Sequence, residues 1–146
     1  MTETKYDGFT AEERDAMKER AKELKTTARR SSKAAKADGE ADLLAKIEEM
    51  PSDDREIAER LHALVKKNAP ALTAKTWYGM PAWALDGKVL CFFQPRTKFK
   101  TRYATLGFND IAELDDGTVW PTAFGIQKLT AADEKMIAAL LQKAVS

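Results

Sequence analysis

Trp77-Tyr78-Gly79-Met80-Pro81-Ala82-Trp83-Ala84-Leu85-Asp86-Gly87-Lys88-Val89-Leu90-Cys91-Phe92-Phe93-Gln94 is the stretch on which the fold turns. Pro81 disfavours helical geometry at Met80 and forces it to be extended, so Ala82 to Leu85 read as a strand. Asp86-Gly87 is the dipeptide of a two-residue type I′ hairpin, whose central residues both need positive φ. The return strand, Lys88 to Gln94, alternates Val89, Cys91 and Phe93 on one face with Leu90 and Phe92 on the other. Both faces are apolar, which predicts a central strand covered on both sides.

Toward the C-terminus, Arg96 to Leu106 reads as a third strand. Arg96, Lys98, Lys100 and Arg102 alternate with Thr97, Phe99, Thr101 and Tyr103, which predicts one wet, basic face. Asn109 to Gly117 is an acidic connection closing on a second Asp-Gly turn signal. An extended stretch with Phe124 and Ile126 on one face follows. A last helix starts with Thr130 as N-cap and Asp133 at N3, and Met136, Ile137, Leu140, Leu141 and Val145 form its apolar stripe.

Toward the N-terminus, a helix runs from Ser52 to Lys67, with Ser52 as its cap. Asp53, Asp54 and Glu56 lie in its first turn, Lys66 and Lys67 in its last, and Ile57, Leu61, Leu64 and Val65 form its stripe. A short helix over Ala41 to Met50 is stopped by Pro51. Lys25 to Ala37, with five basic residues and no acid, reads as a linker. Thr10 to Glu13 has capping-box spacing and starts a first helix. Its thin stripe of Met17, Ala21, Leu24 and Ala28 predicts weak docking. The fold class is therefore α+β: an antiparallel sheet with helices on one face, an N-terminal helical extension (residues 1–40) and a domain (41–146) ending in an amphipathic helix.

Composition narrows the function. The chain has 146 residues, a formal net charge of +1 and one cysteine, Cys91. No disulfide or multi-cysteine metal site can form, and a reducing cytoplasm is the expected setting. No signal peptide or membrane span is expected. His62, the single histidine, reads as a helix-flank residue, and Cys91 as a core thiol. There is no phosphate loop and no set of nucleophile, base and orienter, so no enzyme is expected.

Ten of the twelve aromatic residues fall between Trp77 and Phe124. Many are needed to fill the core, but Trp77, Tyr78 and Trp120 flank loops. They predict a ligand pocket between the Tyr78-to-Trp83 run, with Met80 and Trp83, and the Trp120-Pro121 loop. Lys98, Lys100 and Arg102 are candidates for an acidic protein partner or another anion. Nucleic acid is disfavoured, because the alternation puts Phe99 and Tyr103 opposite the cations.

The run Tyr78-Gly79-Met80-Pro81-Ala82-Trp83, with Gly87-Lys88-Val89, Lys98-Phe99-Lys100 and the C-terminal amphipathic helix, resembles the YdhG-like family over residues 41–145. The resemblance implies a small α+β domain grouped by fold with frataxin-like proteins, one of which is described as an intracellular iron chaperone. It brings no catalytic residues. Thr101 stands where members often carry histidine, which argues against a histidine-dependent metal role. Iron would then fall to carboxylates: Asp53, Asp54, Glu56 and Glu59, or Asp110, Glu113, Asp115 and Asp116. The expected function is a non-enzymatic domain binding a small ligand, a metal or a partner; the alternative is an interaction module built on the basic strand Arg96 to Arg102.

Overall fold

Two tight turns set the sheet. In a computed structural model of the chain, which describes residues 10–28 and 32–146, Asp86 and Gly87 have φ of 50° and 84°. Tyr78 and Gly79, at 53° and 75°, make an equivalent second turn. Each pair sits between directly paired strand residues, Leu85 with Lys88 and Trp77 with Met80, as a two-residue hairpin requires. The strands are β1 (Thr73–Trp77), β2 (Met80–Leu85), β3 (Lys88–Gln94), β4 (Ala104–Phe108) and β5 (Ala123–Ile126). They form one antiparallel sheet in sequence order, with β3 at its centre.

The helices are α1 (Ala11–Ala28), α2 (Ser32–Glu48), α3 (Ser52–Asn68), the single turn α4 (Arg96–Phe99) and α5 (Ala131–Ala144). Leu43 and Ile47 of α2, Ile57, Leu61 and Val65 of α3, and Ile137 and Leu141 of α5 share one core with Trp83, Cys91, Phe93 and Leu106 of the sheet. The α+β plan with helices on one face is thus present. The β2–β3 register shifts between Trp83 and Ala84, and Leu90 joins Cys91 and Phe93 in the core instead of facing away with Phe92. Gly39 lets α2 lie directly on β1: a Cβ there would come within 2.4 Å of the Ala74 carbonyl oxygen.

Four expectations are corrected. The third strand does not begin at Arg96, because the buried Asp54 carboxylate accepts the backbone N–H groups of Arg96 (3.3 Å) and Thr97 (3.1 Å) and starts a helical turn. Lys100, left-handed at φ 55°, ends that turn, and extended chain resumes only at Ala104. The linker at Lys25 to Ala37 is helical on both sides of residues 29–31, which lie outside the described residues, and α2 reaches back to Ser32 rather than starting at Ala41. Ser52 is the first residue of α3, and no side chain caps that end.

The fourth correction concerns α1. Its predicted apolar stripe points outward, with Met17 40% and Leu24 53% exposed. The docked face carries Glu12, Ala16, Glu19, Arg20 and Glu23 instead. Glu23 accepts the N–H groups of Tyr78 and Gly79, both at 3.0 Å, and so holds the β1–β2 turn. Glu19 bridges Lys46 of α2 and Lys98, and Glu12 pairs with Lys100 at 2.9 Å. Charge, not apolar burial, docks this helix.

At the two capping boxes expectation and structure agree. Thr10 and Glu13 exchange hydrogen bonds at the start of α1, and Thr130 and Asp133 do so at the start of α5.

Candidate ligand-binding site

His62 lies on the face of α3 that meets the sheet, one residue beyond the core Leu61, and it is 7% exposed. Trp83 lies opposite on β2, paired to Ala74 of β1 and 1% exposed. The Trp83 indole N–H donates to His62 Nδ1 at 3.1 Å, and His62 Nε2 meets Glu40 Oε2, from α2, at 2.8 Å. An indole nitrogen can only donate. Nδ1 is therefore the acceptor, and Nε2 carries the proton that goes to Glu40.

This chain of bonds decides what His62 can do. Both ring nitrogens are committed within the protein, so no lone pair is left to take a proton from a substrate. The histidine serves to satisfy the buried indole and to hold the Glu40 carboxylate in place. Lys66, one turn further along α3, adds an ion pair to the same Oε2 at 2.9 Å. These hydrogen bonds, from Lys66 first and His62 second, hold Glu40 below the ordinary carboxylate value of 4.5 and keep it ionised at neutral pH. The interactions of Glu40 converge on Oε2, and among the described residues no donor reaches Oε1.

These groups line one side of a cavity of about 380 Å³. Val65, Leu72 and Ala74 supply apolar wall, and Pro70 and Ala71, in the loop from α3 to β1, form its rim. The volume falls in the range of small-molecule sites, and its lining mixes that apolar wall with the polar groups of Glu40, His62, Lys66 and Thr73. It can hold a small molecule with a hydrogen-bond donor for Glu40.

The residues singled out from sequence are dispersed. Trp83 alone reaches this cavity. Trp77, paired with Met80, lies on the opposite sheet face, its ring 4.9 Å from Tyr78 and 5.2 Å from Phe92. Trp120 precedes β5 and packs partly buried against the core. Tyr78 follows β1 and Trp120 precedes β5, and these strands are opposite edges of the sheet, about four strand spacings or 19 Å apart, so the fold sets the two rings at different edges. The expected basic strand is dissolved too. Arg96 pairs with Asp53 at 2.7 Å, Lys98 with Glu19 and the Gly79 carbonyl, and Lys100 with Glu12, while Arg102 stacks over Tyr103 at 5.1 Å.

Among the described residues no group of three or more His, Cys, Asp or Glu side chains converges as a metal site requires. Asp110, Glu113, Asp115 and Asp116 accordingly do not form such a group. In the helix set, Asp53 and Asp54 are engaged with α4. Cys91 is buried in the core, and burial pushes its thiol far up from its usual range. Among the described residues no helix is long and apolar enough to cross a membrane.

Glu40 and Lys66 were not singled out in the sequence. Compared with family models, with curated proteins and with solved structures, the chain has no significant match.

Proposed function

We propose that the protein is a non-enzymatic small-ligand-binding domain, and that its ligand is a compact amine with an apolar body, held in the cavity between α2, α3 and β1–β2. The observation that carries this reading is an ionised Glu40 whose Oε1 receives no donor among the described residues, at the edge of a cavity with a partly apolar wall. A protonated amine supplies the donor that Oε1 lacks, and its carbon chain covers Val65, Leu72 and the Trp83 edge. Lys66 is 63% exposed on its side chain and can turn outward as the amine enters, or pair with a carboxylate if the ligand is zwitterionic.

The buried lone thiol favours a reducing, cytoplasmic setting. Kinship with YdhG-like proteins over residues 41–145 is kept as a proposal, supported by the Tyr78-to-Trp83 run.

The test is thermal denaturation in the presence of millimolar butylamine, leucinamide and, as a neutral match, butanol. Stabilisation by the two amines and not by butanol, lost in Glu40→Gln, is the expected result. Equal shifts from all three, or shifts kept in Glu40→Gln, overturn it.

A further inference from the structure

We propose that the sheet face turned away from α2, α3 and α5 is a stacking surface for single-stranded nucleic acid. The register places Lys75, Ala82, Phe92, Gly107 and Ala123 in one row across all five strands of this face. Gln94, Thr105 and Gly125 form the next row, which Trp77 and Met80 begin on the other edge. Two glycines of these rows leave gaps, and a ring lies over each. A Cβ on Gly107 would fall 2.4 Å from the Phe92 ring, and one on Gly125 would fall 2.9 Å from Tyr103. Trp77, Phe92 and Tyr103 thus spread aromatic surface from β1 to β5, and Tyr103 is 39% exposed. Two or three sheet aromatics are what base-stacking surfaces use.

Charge complementarity selects the occupant. Lys75 stands on this face at β1, and Arg102 sits over the Tyr103 ring near β4, about three strand spacings or 14 Å away. Among the described residues neither enters a salt bridge. Arg20 lies close enough to Lys75 to add repulsion to the burial that already depresses its amine, a cost that a bound phosphate relieves. The nearby carboxylate of Glu23 offsets this in part, though it also accepts the Tyr78 and Gly79 amides and pairs with Arg20. The expected strand alternation is absent here, and Arg102 sits over the Tyr103 ring rather than on the opposite face from it.

Fluorescence anisotropy of the full chain tests this, using labelled 15-nucleotide poly-dT, poly-U, an abasic 15-mer and a duplex of equal length at low salt. The expected result is binding to both base-bearing single strands, about ten-fold or more weaker for the abasic strand and the duplex. Tyr103→Ala and the exposed Arg102→Gln each weaken it several-fold with unchanged circular dichroism, and Glu40→Gln leaves it unchanged, which separates this face from the amine cavity. Equal affinity for the abasic strand would show a charge patch only and overturn the proposal. So would absence of binding up to 100 µM, or a concentration-dependent dimer that protects Phe92 and excludes the oligonucleotide.

Discussion

Gly39 and Gly87 need to be glycine for opposite reasons. At Gly87 a side chain has open space, and the cost of one comes from φ of +84°, which a Cβ tolerates at about 1–2 kcal/mol. At Gly39 the backbone is ordinary helix, yet a methyl group would strike the Ala74 carbonyl. Gly39→Ala is therefore expected to lower stability by about 1–3 kcal/mol in urea denaturation, despite the roughly 1 kcal/mol gain in helix propensity. At His62 the account predicts that Trp83→Phe, which keeps an aromatic ring but leaves Nδ1 buried without a donor, costs about 1–3 kcal/mol by the same measurement. Gly87 was legible from its aspartate neighbour. The turn at Tyr78-Gly79 was not, because tyrosine rarely takes positive φ, and a carboxylate 55 residues away holds it there. His62 was illegible for the same kind of reason: its partners lie 22 positions before and 21 after it, and nothing local encodes them.

The first helix shows where periodicity misleads at the scale of an element. Its caps were readable, since Thr10 and Glu13 are three residues apart, as were Thr130 and Asp133. Its docked face was not, because apolar spacing finds faces buried by the hydrophobic effect and α1 docks through Glu12, Glu19 and Glu23. Similarly, alternation over Arg96 to Tyr103 imitates a strand, while the buried Asp54 that makes α4 comes from another element. This docking is sensitive to acid. Burial pushes the Glu19 carboxyl up, but the hydrogen bonds from Lys98 and Lys46 more than reverse this and hold it below 4.5. A depressed carboxyl stabilises fully above its unfolded value and loses that contribution as pH falls through the folded one. Hydrogen exchange, corrected for intrinsic rates, should show α1 amides protected at pH 7 and losing protection below about pH 4.5, ahead of β3. Glu23→Ala should loosen α1 at neutral pH as well.

At the scale of the whole molecule, one sheet separates two surfaces of different chemistry. The helical side buries the core and opens at one edge into the cavity under Glu40, His62 and Trp83. The other side carries Trp77 against Phe92, and the rings of Phe92 and Tyr103 over Gly107 and Gly125. The hairpin at Asp86-Gly87 made the antiparallel sheet legible, and the long apolar stripes of α3 and α5 placed helices against it. The cavity was not legible, because it is formed by three elements whose separation in space no single pattern reports. Amine affinity should hold from pH 7 down to about 5 and fall as Glu40, held below 4.5, takes up a proton. The most direct test is a ¹H–¹⁵N spectrum of the chain titrated with butylamine. The account predicts that, of the three tryptophan indole signals, that of Trp83 shifts in a saturable manner while those of Trp77 and Trp120 stay in place. Saturable shifts at Trp77 with Trp83 unmoved, or no saturable shift at any of the three, would contradict it.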